Sequence, residues 1–168
     1  AVFVYGQNPG TNHPRMMNAL RQAARGGCKI VSFNNLKEVA LERFASPQSP
    51  LELLTPAATT ISHQYLTPTL GGDMAALRGM AKYMLEEAPE VVDRDFIARH
   101  TRHFAEYEAQ VRATDWAAIE QQSGLTRAEI VQAARVFAAS QRIISCWAMG
   151  VTKHLHSVDT TRERVHLH

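Results

Sequence analysis

AVFVYGQNPGTNHPR, residues 1–15, carries a strand, a polar loop and the start of a helix. Ala1 to Tyr5 is a short apolar, β-branched and aromatic run, the pattern of a strand covered on both faces. Gly6 ends it and permits close backbone approach or positive φ. Asn8, Asn12 and His13 then place polar side chains where the loop opens. Pro14 suits the first position of a helix, where its missing N–H has no partner to lose. Met16, Met17, Leu20 and Ala24 follow with the spacing of one buried helix face. A strand feeding a helix through a Gly/Asn loop aims backbone donors and a helix dipole at one point, which suits a phosphate or diphosphate. A plain βα turn accounts for the same residues, since such turns occur throughout α/β folds. The loop has neither G-x-G-x-x-G nor G-K-[ST], so it is neither a dinucleotide fingerprint nor a P-loop.

Downstream, Gly26-Gly27 reads as a helix stop and residues 28–33 (CKIVSF) as a second strand. Strand, helix, strand within about 30 residues is a βαβ unit, and its crossover makes the strands parallel. Both strands therefore end on one sheet edge, where open α/β sheets bind ligands. Beyond the second strand, Ser32 to Leu36 occupies the place where a nucleotide-binding unit grips a ribose, often through Asp or Glu. Here the groups are Asn34 and Asn35, which hydrogen-bond without charge. Residues 37–60 read as irregular, with a short helix over 37–44 and a surface loop broken by Pro47, Pro50 and Pro56. Residues 60–66 predict a third strand. Gly71, Gly72 and Asp73 then open a strongly amphipathic helix to about Glu87, with Met74, Leu77, Met80, Ala81, Met84 and Leu85 inward. Asp73 has two readings. It favours a helix N-terminus by cap and dipole. It is also a carboxylate at a strand-to-helix turn, able to accept from the N1–H and exocyclic amine of guanine, a pair that adenine lacks.

Residues 93–114 predict a helix broken near His100–His103, with Phe96, Ile97, Phe104, Tyr107 and Val111 inward. Trp116–Ile119 starts another helix, stopped by Gly124. Thr126 and Glu129 form a capping box for a helix buried through Ile130, Ala133, Ala134, Phe137 and Ala138. These helices read as packing. Residues 142–147 predict a last buried strand, followed by a Gly-containing loop over 148–154 and a helix from Thr160. In a parallel sheet this loop shares an edge with the first one, as an extended ligand needs.

The chain has 168 residues, 45% hydrophobic and 20% charged, with net charge +2. That describes one folded domain, and its mild, spread charge argues against a nucleic-acid partner. No apolar run approaches the ~20 residues of a membrane span, so no membrane insertion is expected. No signal peptide is visible. Cys28 and Cys146 read as buried free thiols in core strands, consistent with a cytoplasmic setting. The chain starts without Met inside a strand and stops inside a helical pattern, which leads us to expect a fragment of a larger polypeptide. His154 and His156, like His166 and His168, are spaced i, i+2 with no completing ligands, so no metal site is predicted. No catalytic triad or Cys/His arrangement appears, and no catalytic residue is assigned.

Three motifs in order, residues 6–14 (GQNPGTNHP), Gly71-Gly72-Asp73, and residues 147–154 (WAMGVTKH), resemble one segment of the molybdopterin-dependent oxidoreductases. The nearest likeness is to formate-dehydrogenase-like alpha subunits, and residues 92–101 and 123–125 share it. The resemblance covers nearly the whole chain. It implies a three-layer, Rossmann-like α/β domain with a predominantly parallel sheet and helices on both faces. It implies one cofactor-binding domain over 1–168 within a multi-domain catalytic subunit. The cofactor would be molybdopterin guanine dinucleotide, two copies of which hold Mo or W. By the family pattern Gly6, Gln7, Asn8, Pro9, Gly10, Thr11, Asn12 and His13 contact the diphosphate. Ser32, Asn34 and Asn35 contact the ribose, Gly72 and Asp73 select guanine, and Met149, Gly150 and Lys153 lie along the cofactor. Two positions depart from that pattern. Asn34-Asn35-Leu36 stands where Asp-Pro-Arg is common, and Lys153 stands where Gln is usual. The partners implied are the remaining domains of the parent subunit and an electron-transfer subunit. An iron–sulfur cluster belongs to another domain, so the fragment alone is expected to be inactive. The competing class is a non-enzymatic nucleotide-binding or regulatory α/β module, for which guanine preference is not required.

Overall fold

The computed structural model describes residues 1–55 and 57–168. Contacts group the chain into two compact units, Ala1–Thr67 with Arg142–His154, and Pro68–Gln141 with Leu155–His168.

The first unit is built on four parallel strands. β1 (Val2–Tyr5) leads through α1 (Pro9–Asn12) and α2 (Pro14–Arg25) to β2 (Ile30–Phe33). β5 (Gln64–Leu66) and β6 (Ile144–Trp147) complete a sheet of order β5-β2-β1-β6. Val2 pairs with both Ile30 and Ile144, and Tyr5 with both Phe33 and Trp147, so the three strands end level. Side chains alternate across the sheet. Val2, Val4 and Ile30 meet Met17 and Leu20 of α2, with Leu41 and Ile61. Each buried aliphatic side chain of this size contributes ~1.5–3 kcal/mol. On the other face Phe3, Tyr5 and Phe33 are also fully buried, Tyr5 stacking on Phe33 at 4.9 Å between centroids. A parallel sheet covered on both faces, with helices between its strands, is the α/β class that the sequence predicts.

Several expectations in this unit are corrected. The loop before Pro14 is not wholly irregular: α1 intervenes because Asn8 caps it and Pro9 takes its first position. Residues 37–60 hold more than one short helix. α3 (Val39–Glu42) is followed by β3 (Arg43–Phe44), which pairs antiparallel with β4 (Thr59–Thr60), and α4 (Pro50–Leu54) starts on Pro50. Pro50 opens a helix rather than breaking one, because its ring is tolerated at a first turn. Pro56, read as a further breaker, lies outside the described residues. Glu52 of α4 ties this excursion down. It accepts from Arg21, from Arg25 Nη2 at 2.5 Å and from Ser46 N at 2.7 Å. The last strand is not fully buried: β6 is one of the two edge strands, and Ile144 is 61% exposed. Cys28 and Cys146 are accordingly half-buried rather than buried.

The second unit is helical. α5 (Asp73–Glu87) runs through it, packed by α7 (Phe104–Ala113), α8 (Trp116–Ser123), α9 (Arg127–Ala138) and α11 (Ser157–Val165). The expected single apolar face of α5 is corrected, since Ala75, Ala76, Leu77, Gly79, Met80, Ala81 and Lys82 are buried all round it. Surrounded helices lose their polar face. Gly79 permits this crowding, because a Cβ there would lie 2.9 Å from Ile130 Cγ2. Buried Lys82 is satisfied by Glu86 and by the Arg112 carbonyl, each at 2.7 Å.

The break predicted near His100–His103 is present. α6 (Arg94–His100) is capped by Asp93, and His103 adopts φ 60° before α7. The Thr126–Glu129 capping box opens α9 as predicted. Phe96, expected inward, is 47% exposed. α11 starts at Ser157, ahead of the expected Thr160.

Candidate functional site

The site is assembled where β1, β2 and β6 end. Gly6 follows β1 with φ +53°, its N–H donating to the Phe33 carbonyl at 2.8 Å. Its carbonyl accepts from Gly150 N at 3.2 Å. A Cβ on Gly150 would stand 2.6 Å from that carbonyl oxygen, and one on Gly6 would stand 2.9 Å from Gly150 C. The two loops therefore meet main chain to main chain, which only glycine on each side allows. α10 (Met149–Thr152) carries Gly150, and exposed Lys153 caps its end.

The first loop is shaped by its own polar residues. Asn8 Oδ1 accepts from Thr11 N at 3.1 Å, and Asn8 Nδ2 donates to Glu38 Oε2 at 2.5 Å. Gln7 is buried. Its Nε2 lies 3.5 Å from His13 Nδ1 and from Met16 Sδ, while its Oε1 has no partner. A buried acceptor without a donor costs ~1–3 kcal/mol and calls for an explanation. Pro9 is the buried start of α1. Gly10 has a packing role: a Cβ there would fall 2.4 Å from Ala40 Cβ. Thr11, Asn12 and His13 are exposed.

At the end of β2, Ser32 is fully buried with its Oγ 2.7 Å from Ser62 Oγ, so its hydroxyl is engaged in the core. Asn34 is buried and donates to the Gln7 carbonyl at 3.4 Å, whereas Asn35 is exposed. Two further side chains, which the sequence leaves in an irregular stretch and a short strand, reach this edge. Tyr65 Oη donates to the Leu36 carbonyl at 2.7 Å and accepts from Glu38 N at 2.9 Å. Burial pushes the Tyr65 phenol above its ordinary pKa. The signal for Glu38 was an acidic residue soon after the second strand, masked by two closer asparagines.

In the helical unit, Gly71 takes φ +80° and Gly72 is the N-cap of α5. A Cβ on Gly72 would lie 2.7 Å from Thr69 Oγ1 and 2.8 Å from the Gln122 carbonyl. Asp73 is thus the first helical residue rather than the cap, half-exposed in the first turn where its charge suits the dipole. The structure brings Gly6–His13, Asn34, Asn35, Met149, Gly150 and Lys153 to one sheet edge, while Gly72 and Asp73 belong to the other unit. Among the described residues no group of three or more His, Cys, Asp or Glu is placed to hold a metal ion. No helix is long and apolar enough to cross a membrane among the described residues.

No family model matches the chain. Protein YdeP of Escherichia coli (strain K12) is 39% identical over 174 residues, taking in 99% of this chain and 23% of that protein. Formate dehydrogenase H of the same strain is 30% identical over 161 residues, 96% of this chain and 20% of that protein. The solved structure of acetylene hydratase from Pelobacter acetylenicus superposes with a TM-score of 0.80 at 20% identity, covering 99% of this chain and 20% of that one. The chain spans between a fifth and a quarter of the length of these curated relatives. From end to end this chain is similar in sequence to a segment of oxidoreductases, formate dehydrogenase H among them, and the acetylene hydratase superposition shows the same α/β fold.

Proposed function

We propose that the chain is the part of a molybdopterin oxidoreductase, of formate-dehydrogenase type, that holds one molybdopterin guanine dinucleotide. The observation that carries this is the joining of two parallel strand ends through Gly6 and Gly150, which presents two loops on one edge. The residues fit such a group. Gln7 Oε1 is a buried acceptor awaiting a donor. Asn12, Asn35 and Lys153 are exposed donors in the loops beyond β1, β2 and β6. When bound, the group supplies a molybdenum or tungsten centre for two-electron chemistry, with electrons passing to an iron–sulfur cluster elsewhere in the parent. This chain's residues bind and orient. The loop after β1 receives the diphosphate, Lys153 places a positive charge at the same edge, and Asp73 accepts from the guanine amine and N1–H. Substrate chemistry and electron transfer then belong to the rest of the polypeptide and to an electron-transfer partner in the cytoplasm.

The test is titration of the cofactor-free full-length protein with GDP and ADP, for wild type and Asp73→Asn. Two hydrogen bonds to a carboxylate predict GDP binding at least about tenfold tighter than ADP. Asp73→Asn removes that preference. Equal affinities in the wild type overturn Asp73's role, and a metal-replete protein that releases no guanine nucleotide on acid hydrolysis overturns the cofactor assignment.

A further inference from the structure

In a nucleotide-binding βαβ unit the ribose is gripped beyond the second strand, and a carboxylate does so by accepting from its hydroxyls. This chain has uncharged Asn34 and Asn35 at the expected place. A carboxylate nevertheless reaches that edge. Glu38 Oε2 lies 2.5 Å from Asn8 Nδ2, across thirty residues of sequence. Asn8 is itself fixed, accepting from Thr11 N. The Glu38 main chain is anchored from the other side, its N–H donating to Tyr65 Oη, which in turn donates to the Leu36 carbonyl. Glu38 is therefore held between the β1 loop and β5. It is half-buried, and no Lys or Arg among the described residues pairs with it. Asn8 engages one carboxylate oxygen and leaves the other with acceptor capacity. A half-buried carboxylate without a cation is an incomplete hydrogen-bonding set.

We infer that Glu38, clamped by Asn8 at the mouth of the first loop, accepts hydrogen bonds from the ribose hydroxyls of the nucleotide bound at this edge. It is a positioning and specificity residue, and its charge disfavours a nucleotide phosphorylated on that ribose. This rests on the nucleotide reading given above and names the sugar contact within it.

The experiment compares GDP with 2′,3′-dideoxy-GDP on the cofactor-free full-length protein. Wild type is expected to bind GDP about tenfold more tightly, the effect of one or two charge-assisted hydrogen bonds. Glu38→Ala brings the ratio to about one. Glu38→Gln, which keeps an acceptor for Asn8 and so preserves the clamp, lowers it to about threefold or less. A wild-type ratio of one overturns the inference without any variant being made. A wild-type ratio retained in folded Glu38→Ala overturns it equally, and in both cases GDP binding leaves the nucleotide reading standing. A wild type that binds neither probe overturns both.

Discussion

Glu38 and Glu163 are both carboxylates placed by tertiary structure, one at the edge of the sheet unit and one inside the helical unit. Glu163 of α11 is 3% exposed and fully matched. Arg78 of α5 donates to it through Nε at 3.2 Å and Nη2 at 2.9 Å, and Tyr107 of α7 donates at 3.0 Å. Burial, reinforced by the Glu163 charge, pushes the Tyr107 phenol far above its ordinary pKa, so it stays a donor. Among the described residues Glu38 accepts from one neutral donor, Asn8, and pairs with no cation. The glycines divide the same way. Gly6 and Gly150 bring two loop backbones together, whereas Gly79 lets side chains close around a helix. The completed set around Glu163 ties three helices together, and the incomplete one around Glu38 is the basis of the sugar contact inferred above.

Breaking the completed set has the largest expected effect. Glu163→Ala leaves the Arg78 guanidinium unpaired and should lower unfolding free energy by about 3 kcal/mol, the lower end for a broken buried pair because Arg78 is partly exposed. Glu38→Ala should change stability by less than about 1 kcal/mol, as for a replacement outside the core. Urea midpoints of the two variants sharpen the contrast, and equal losses would break it.

The glycines come next. Gly150→Ala drives a methyl group into the Gly6 carbonyl and should cost about 2 kcal/mol, because a backbone atom cannot move aside. Gly79→Ala meets the buried Ile130 and Ile119 branch methyls at 2.9 and 3.1 Å, a clash that about 1 kcal/mol of helix propensity partly offsets. Its net loss by thermal unfolding should be smaller than that of Gly150→Ala. A large loss in Gly79→Ala alone would reverse the distinction between the units.

A further contrast lies in acid. Hydrogen bonding from Arg21 and Ser46 N, with the charges of Arg21 and Arg25, holds the Glu52 carboxyl down to about 2. The folded value lies below the unfolded one. The stabilisation is therefore complete above about pH 4.5 and is lost as pH falls toward 2. Glu52→Gln should flatten that acid limb of a stability–pH curve for the sheet unit. Glu108, held down to about 2 by Arg94 and Arg112, governs the corresponding limb in the helical unit.

Much of this architecture is legible in the sequence. The β1–α2–β2 unit, the stops at Gly26 and Gly124, the break at His103 and the Thr126 capping box all rest on neighbours within a few residues. The excursion over 37–60 was not legible, because Arg43 pairs with Thr60 and Glu52 finds its arginines on α2 only after folding. Of the candidate site, the strand-end loops were legible as loops. The engagement of Ser32 by Ser62 was not, nor was the packing of Gly10 against Ala40.

A parallel α/β chain with polar loops after its first and last strands follows from local sequence, because strand alternation, helix periodicity and turn chemistry are local. Enclosure of α5, the place of β6 at a sheet edge and the approach of Glu38 to Asn8 arise only on folding. Those outcomes depend on which distant segments share a surface, and composition and periodicity carry no record of that pairing.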